Sequence, residues 1–193
     1  MVALSPPVSP VKFTYEDFLL FPDDGKRHEL LDGDHLMSPA PRTKHQSISH
    51  HLSRLIGNFL EQAGRGSIFS APTDVVLSDF DVVGPDLVYI SGARDAIITE
   101  KNIQGAPDLV VEILSESSRK TDEIVKRDIY ERCGVSEYWI VDPELETVKI
   151  YRLVEGRYVR VSEFSREADA TLTSPQFPGL SIPLSKVFRQ SFR

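Results

Sequence analysis

The chain has 193 residues, 40% of them hydrophobic and 26% charged, which are the proportions of an ordinary globular protein. This length is enough for one well-cored domain, and two would be crowded. The net charge of −7 argues against a protein that coats nucleic acid, because such binding needs many Lys and Arg contacts to phosphate. A catalytic cleft lined with carboxylates would by itself make the net charge more negative. The net charge therefore argues only mildly against an enzyme that cuts nucleic acid.

Other function classes are excluded by cysteine usage and hydropathy. Cys133 is the only cysteine, which rules out an intrachain disulfide and a cysteine zinc cluster. The longest apolar runs, such as residues 109–114, are too short to span a bilayer, so no membrane association is expected. The N-terminus lacks a basic region followed by an apolar core, which argues against secretion. These features predict a protein of the reducing cytoplasm.

The first elements of the chain are a loose arm, a short helix and a hairpin. Residues 1–12 contain several prolines and no strong period, and we expect a flexible N-terminal arm. A short helix should follow, with Thr14 as its cap and Leu20 near its end. Asp32-Gly33 lies between two short strand-like runs, which is a typical hairpin signal.

The middle of the chain predicts a long helix and then a buried strand. Apolar residues at helical spacing indicate a helix over residues 43–62 that stops at Gly64. Strands are then predicted around residues 67–70, 73–77 and 87–90. Residues 108–114 read Asp-Leu-Val-Val-Glu-Ile-Leu, which indicates a central strand covered on both faces.

The last third predicts a second helix and a run of strands. The helix should span residues 122–133, with Thr121 as its cap and Gly134 at its end. Three strands in series are expected around residues 137–141, 147–153 and 157–164. Residues 175–188 alternate prolines with apolar residues and are expected to pack along the outside. The prediction is a single α/β domain over residues 13–193, with a central mixed β-sheet flanked by helices.

Three carboxylates lie where burial is expected. Glu112 interrupts an otherwise apolar run, Asp86 precedes Leu-Val-Tyr-Ile, and Glu29 precedes Leu-Leu. Burying an unpaired carboxylate costs several kcal/mol, so such groups are normally paired, protonated or bound to metal. Each acid alone is explained equally well by a structural ion pair. Asp86 and Glu112 together favour a Mg²⁺ site, since Mg²⁺ takes carboxylate oxygens from proteins and can activate water against a phosphodiester.

The predicted second helix carries a charged stripe beside an apolar one. Asp122, Lys126 and Tyr130 are spaced i, i+4, i+8 and share one face. The neighbouring apolar stripe, which should face the sheet, consists of Val125, Ile129 and Cys133. Lys126 would then lie at the edge of the buried face, within reach of Glu112. Spacing alone favours the simpler interpretation of a solvated Asp122–Lys126 surface pair, worth about 0.3–0.5 kcal/mol.

Five motifs occur in a fixed order along the chain. They are Glu29-Leu-Leu-Asp-Gly, Pro39-Ala-Pro with His45, Pro85-Asp86, Ala106-Pro-Asp-Leu-Val-Val-Glu-Ile-Leu-Ser and Gly134-Val-Ser-Glu-Tyr-Trp-Ile-Val-Asp. Over residues 13–188 they resemble a large bacterial family of predicted endonucleases, abundant in cyanobacteria and formerly a domain of unknown function. That family is part of the restriction-endonuclease-like superfamily with the PD-(D/E)XK signature. The resemblance implies the restriction-endonuclease-like α/β fold and DNA as the substrate.

The resemblance also implies roles for the three acids. Pro85-Asp86 matches the PD of the signature, and Glu112 matches its second acid. Asp86 and Glu112, with the main-chain carbonyl of Ile113, would hold one Mg²⁺ or Mn²⁺ ion. Glu29 matches an acid that the superfamily contributes from an N-terminal element, and would hold a second ion or a metal-bound water.

The signature lysine is where this sequence departs from the pattern. Two residues after the second acid stands Leu114 instead of a lysine. The family is thought to supply the lysine from the following helix, where Lys126 matches and Lys120 is the other candidate. That lysine would orient the attacking water or stabilise the charge on the phosphate. His45 would touch substrate phosphate or tune a carboxylate, with a purely structural histidine as the alternative.

The resulting hypothesis is a metal-dependent endonuclease that hydrolyses phosphodiester bonds in DNA. One alternative is a catalytically inactive nuclease fold that serves as a binding or assembly module. Another is a metal-dependent hydrolase with a different substrate, because function depends on the site rather than on the fold. Paired cuts on duplex DNA would suit a symmetric homodimer. No helix-turn-helix, zinc finger or Lys/Arg block indicates a target sequence.

Overall fold

The computed structural model describes residues 11–189, so residues 1–10 of the predicted N-terminal arm lie outside the described residues. The strands in chain order are β1 (Arg27–Leu31), β2 (Asp34–Ser38), β3 (Ser67–Ser70), β4 (Val75–Ser78), β5 (Asp81–Val83), β6 (Leu87–Ile90), β7 (Ile103–Gln104), β8 (Leu109–Ile113), β9 (Glu137–Asp142), β10 (Thr147–Val154), β11 (Arg157–Ser165), β12 (Thr171–Leu172) and β13 (Ile182–Pro183). The α-helices are α1 (Tyr15–Phe18), α2 (Thr43–Ala63), α3 (Arg127–Cys133) and α4 (Leu184–Val187). A 3₁₀ helix covers Gly92–Ile97, and a π-helical turn, Thr121–Lys126, leads into α3.

The strands form two sheets and a small pair. The first sheet has the order β2-β1-β5-β4-β7, the second has the order β11-β10-β9-β8-β6-β3, and β12 pairs with β13. Both large sheets are mixed, because β4 and β7 are parallel in the first and β8 and β9 in the second. The predicted mixed α/β architecture is therefore confirmed, and the early hairpin β1–β2 forms one edge of the first sheet. None of the helices in the described range has the length and apolarity that a membrane crossing requires.

Strand β8 is the centre of the second sheet. It pairs with β6, with Leu87 opposite Val111. Side chains alternate along a strand, so Leu109, Val111 and Ile113 join the core cluster that includes α2. Val110 and Leu114 join the cluster that includes α3. Glu112 therefore projects towards the helical segment that carries Lys126.

The β1–β2 hairpin closes at Asp32-Gly33, as its sequence predicts. Both residues have left-handed backbone angles, with φ of 53° at Asp32 and 75° at Gly33, the combination that a tight I′ hairpin turn requires. A Cβ on Gly33 would lie 2.8 Å from Cβ of Lys12. Only glycine fits this turn, and the turn fixes the register that places Glu29 opposite Leu36.

The helical segment after β8 differs from its prediction. Lys120 already has helical backbone angles and provides no side-chain cap, so the predicted Thr121 cap is wrong. Asp122 and Lys126 are 2% and 4% exposed, whereas Val125 is 41% exposed. The π-helical turn has i→i+5 hydrogen bonds, so it changes which stripe meets the sheet. The polar stripe faces the protein interior, and the predicted inward position of Val125 is wrong.

The C-terminal segment belongs to the core rather than to the outside of the fold. Phe177 is 1% exposed, and its ring packs edge-on against Tyr89 and Trp139. Leu184 and Val187 of α4 are fully buried in the cluster that contains α2. The expected external packing is wrong because these side chains cover a face of the second sheet that α2 alone leaves open.

Candidate active site

A cleft of about 1090 Å³ opens between the β1–β2 hairpin, the start of α2 and the helical segment that follows β8. The site residues proposed from the sequence all line it: Glu29, His45, Asp86, Glu112, Ile113 and Lys126. Leu114, at the standard position of the signature lysine, lines it too and is 3% exposed. Lys120, the alternative lysine, is exposed and does not line the cleft.

Four separate elements bring these residues together. Glu29 lies on β1 of the first sheet, and Glu112 lies on β8 of the second. Asp86 lies in the short link between β5 and β6, where the chain passes from the first sheet to the second. Lys126 ends the π-helical turn that packs over β8. The cleft therefore lies at the junction of the two sheets.

Lys126 lies at the centre of a group of carboxylates. Its Nζ is 2.8 Å from Oε1 of Glu29, 3.1 Å from Oε1 of Glu112 and 3.7 Å from Oδ1 of Asp122. Burial alone would lower the pKa of Lys126, but the three carboxylates raise it well above its usual value. The side chain is therefore held as an ammonium ion, and the solvated surface pair that spacing alone favours is wrong.

Glu112 is almost fully buried, with 2% of its surface exposed. Its Oε1 accepts hydrogen bonds from Lys126 and from the Tyr130 hydroxyl, the latter at 2.7 Å. Burial raises the pKa of Glu112 to about 8, although the Lys126 charge opposes this shift. Three other carboxylates add smaller contributions in the same direction: Asp122, Asp86 and Glu29. Three of these four acids contact the Lys126 ammonium, and the fourth, Asp86, lies beside Arg27 and His45.

Asp86 is held from three sides. Its Oδ2 accepts the Ile113 main-chain N–H at 2.8 Å and lies 3.1 Å from Nε2 of His45. Its Oδ1 lies 3.7 Å from Nη1 of Arg27. Burial would raise the pKa of Asp86, but His45, the Ile113 amide and Arg27 together lower it below its usual value. The structure therefore places His45 beside a site carboxylate and ties Asp86 to the end of β8.

Three participants were missed or misplaced in the sequence analysis. Arg27 lines the cleft and donates a hydrogen bond to the Gly84 carbonyl at 2.9 Å. Its position two residues before Glu29 could have revealed it, because side chains at i and i+2 share a strand face. Asp122 was assigned to the surface but is 2% exposed, and this burial raises its pKa to about 6. Tyr130 was not assigned to the site, although its spacing places it on the same helix face as Lys126.

The donor set fits a small hard cation that keeps part of its water shell. In residues 11–189 no group of three or more His, Cys, Asp or Glu side chains has the arrangement of a metal site. Mg²⁺, however, is usually held by one or two carboxylates plus water and substrate phosphate. The hydrogen bonds to Glu112 within the described residues all fall on Oε1, and those to Asp86 fall on Oδ2. Among the described residues, Oε2 of Glu112 thus accepts no hydrogen bond, and Oδ1 of Asp86 has the Arg27 guanidinium 3.7 Å away.

The buried His45 Nδ1 is a further unexplained atom. Among the described residues it has no hydrogen-bond partner. A buried ring nitrogen without a partner is uncommon in native structures and calls for a water, an ion or a ligand beside it. Since Nε2 of the same ring contacts Asp86, the observation supports an additional bound group at this end of the cleft.

Comparisons with known proteins agree with this architecture. The model of the Uma2 family, described as "Putative restriction endonuclease", matches residues 15–185. A crystal structure from Anabaena variabilis ATCC 29413, described as a "putative nuclease belonging to DUF820", superposes with a TM-score of 0.76 at 23% sequence identity. The match covers 93% of this chain and 98% of that one, and it establishes the fold. The search of curated proteins found no match.

Proposed function

The chain belongs to the Uma2 family of restriction-endonuclease-like proteins, and we propose that it is a metal-dependent endonuclease that hydrolyses phosphodiester bonds in DNA. The observation that carries the proposal is the buried ammonium of Lys126 between Glu29 and Glu112, in a cleft shared with Asp86. Burying one lysine among several acids is expensive for a purely structural role. The same arrangement suits a site that handles a cation and a phosphate anion together.

The metal-binding residues under this proposal are Asp86, Glu112 and the Ile113 carbonyl, with Glu29 contributing to a second ion. Mg²⁺ or Mn²⁺, when bound, would supply an activated water and neutralise charge on the phosphate. Hydrogen bonds from the Ile113 amide and His45 hold the Asp86 carboxylate in one orientation. Such preorganisation limits the reorganisation needed when substrate charge develops.

Lys126 has the role of the signature lysine in this proposal. Its positive charge is maintained by the surrounding carboxylates, so it can orient a water molecule and stabilise negative charge on the phosphate. Tyr130 donates to Glu112 from the helix side and fixes the carboxylate that Lys126 also contacts. Arg27, beside Asp86, presents a second fixed positive charge to the cleft.

The test is cleavage of plasmid and single-stranded DNA with Mg²⁺, with Mn²⁺ and with EDTA. Wild type should cut in the presence of the metals and not in EDTA, and Glu112→Gln should be inactive. Lys120→Ala serves as a matched control, because it removes a lysine that does not line the cleft. The ratio of linear to nicked product would report whether two copies cut together.

Three results would contradict the proposal in different ways. DNA binding without cleavage under any metal condition would favour a binding module, and cleavage of RNA alone would favour another substrate. Equal cleavage by wild type and Glu112→Gln would remove this site from the reaction altogether.

A further inference from the structure

The mouth of the cleft carries basic side chains that the proposed chemistry does not use. Arg42 directly precedes α2, Lys44 lies in the first turn of α2, and Arg119 lies at the start of the helical segment after β8. All three line the cleft, outside the buried group around Lys126. They come from opposite sides of the opening, so an extended ligand entering the cleft would pass between them.

Arg119 is fixed to the cleft wall by a buried acid. Its Nη1 donates to Oδ2 of Asp142 at 2.7 Å, and the Asp142 side chain is 1% exposed. Oδ1 of Asp142 accepts the main-chain N–H groups of Glu144 and Leu145 at 2.9 and 3.1 Å. Asp142 thus positions the guanidinium and the turn after β9 together. The Arg119 side chain keeps 37% of its surface exposed, and a guanidinium presents five N–H donors suited to phosphate.

Two exposed ion pairs span the opening. Arg42 Nη2 lies 3.6 Å from Oε2 of Glu116, and both side chains are at least 85% exposed. Lys44 Nζ lies 3.1 Å from Oε1 of Glu144, and these side chains are 52% and 76% exposed. Exposed pairs of this kind contribute about 0–1 kcal/mol. A ligand that offers stronger anionic oxygens can therefore replace Glu116 and Glu144 with little penalty.

We propose that Arg42, Lys44 and Arg119 form a binding site for the phosphate backbone of a nucleic acid, and that Glu116 and Glu144 occupy it until the substrate displaces them. The identity of the ligand rests on the proposed nuclease function. Phosphate oxygens match both the guanidinium fork of Arg119 and the point charge of Lys44. Once Glu116 and Glu144 have moved aside, this site would offer the phosphates positive charges at the mouth of the cleft of an otherwise acidic protein.

The proposal predicts effects of opposite sign for the two kinds of side chain. Arg119→Gln should weaken DNA binding, whereas Glu116→Gln and Glu144→Gln should tighten it severalfold, because each removes a competitor for the phosphate. Glu116 and Glu144 are exposed, so their variants should fold normally, whereas Arg119→Gln removes the charged partner of the buried Asp142, and urea unfolding checks that this variant is folded. Glu163→Gln is the matched control: it changes net charge by the same amount and breaks an exposed pair with Arg160 on β11, away from the cleft.

The experiment is fluorescence anisotropy with labelled duplex DNA over a series of salt concentrations, in a Glu112→Gln background that keeps the DNA intact. Arg119→Gln should raise Kd about five- to tenfold at 0.1 M salt and reduce the slope of log K against log salt by about 0.9, the value for one lost phosphate contact on duplex DNA. Glu144→Gln should lower Kd, and Glu163→Gln should leave it unchanged.

Either of two results would overturn the proposal. The first is an Arg119→Gln variant that binds DNA with the same Kd as the parent. The second is an equal change of Kd in Glu144→Gln and Glu163→Gln, which would show that only the net charge of the protein affects binding. Binding that depends on Arg119 in a wild type that never cuts DNA would retain this site and contradict the nuclease function. If wild type cleaves DNA but Arg119→Gln does not weaken DNA binding, the nuclease function is retained and this phosphate site is contradicted.

Discussion

Lys126 Nζ lies 2.8 Å from Oε1 of Glu29, and both side chains are at most 5% exposed. This contact joins β1 of the first sheet to the helical segment packed on the second. The same ammonium also contacts Glu112 on β8 at 3.1 Å. One side chain therefore compensates acids from both sheets, and the proposed catalytic lysine is also part of what holds the two sheets in place.

The first prediction is that Lys126→Met destabilises the metal-free protein strongly. Removing one partner of a buried ion pair typically costs about 3–5 kcal/mol, because the other charge is left uncompensated. Urea unfolding in EDTA at pH 8 should therefore show a large loss of unfolding free energy. Lowering the pH to 6 should recover part of it, since burial raises the pKa of Glu112 and the Lys126 charge that opposes this rise is gone in the variant, so the native state favours the protonated carboxyl still more.

Lys120→Met is the control for this measurement, because Lys120 is exposed and should tolerate the change with little loss. If both variants unfold at the same urea concentration as wild type, Lys126 has no compensating role. Added Mg²⁺ should stabilise Lys126→Met more than wild type, because a bound cation then replaces the missing positive charge.

The sequence predicts part of this site well and misses the rest for a physical reason. Glu112 is recognisable as a site residue because a carboxylate in an otherwise apolar strand needs a partner. The regular alternation of side chains along a strand also predicts the face on which it lies. The burial of Asp122 and Lys126 is not recognisable, because it depends on a π-helical turn that i+4 spacing does not reveal. The Arg119–Asp142 contact joins residues 23 positions apart on different elements, which no local pattern encodes.

The second prediction concerns how stability depends on pH. A carboxyl whose pKa is raised on folding stabilises the native state at low pH, and this contribution is lost as pH rises through the folded-state pKa. Burial raises the pKa of Glu112 to about 8 and that of Asp122 to about 6. In EDTA, the unfolding free energy of wild type should therefore fall as pH rises from about 5 to 8.

Glu112→Gln should reduce this fall and make the metal-free protein more stable than wild type at pH 8, although cleavage is lost. The amide is uncharged and can still accept the Tyr130 hydrogen bond, and Lys126 keeps its contacts with Glu29 and Asp122. Chemical denaturation of both proteins at pH 5, 7 and 9 checks the prediction. Parallel curves for the two proteins would show that Glu112 does not titrate in this range.

The third prediction is that Asp86 is required for divalent-metal binding. Calorimetric titration with Mn²⁺ should show binding to wild type and a large loss for Asp86→Asn, which removes the charge and keeps the shape. Asp108→Asn is a suitable control, because Asp108 is likewise an acid held by a main-chain N–H and an arginine, away from the cleft. Equal Mn²⁺ binding by wild type and Asp86→Asn would contradict the metal assignment.

The last prediction tests whether the lysine charge can be supplied from two backbone positions. Leu114 shares a strand face with Glu112 and lines the same cleft, so a lysine there would project towards the carboxylates as in the standard signature. We expect Lys126→Ala to abolish cleavage, and Lys126→Ala combined with Leu114→Lys to recover part of it. Recovery should be incomplete because Leu114 is 3% exposed and its replacement places a longer, charged chain in a packed site.

Leu114→Met combined with Lys126→Ala is the matched control, since it changes the size and shape of the side chain without adding charge. The measurement is the single-turnover rate of plasmid cleavage for each variant at saturating Mg²⁺, with urea unfolding to show that each is folded. If the double variant with Leu114→Lys recovers cleavage and the one with Leu114→Met does not, the site needs a positive charge at this place. Whether that charge comes from the strand or from the helix would then be unimportant. Cleavage by Lys126→Ala at the wild-type rate would show instead that this lysine is dispensable.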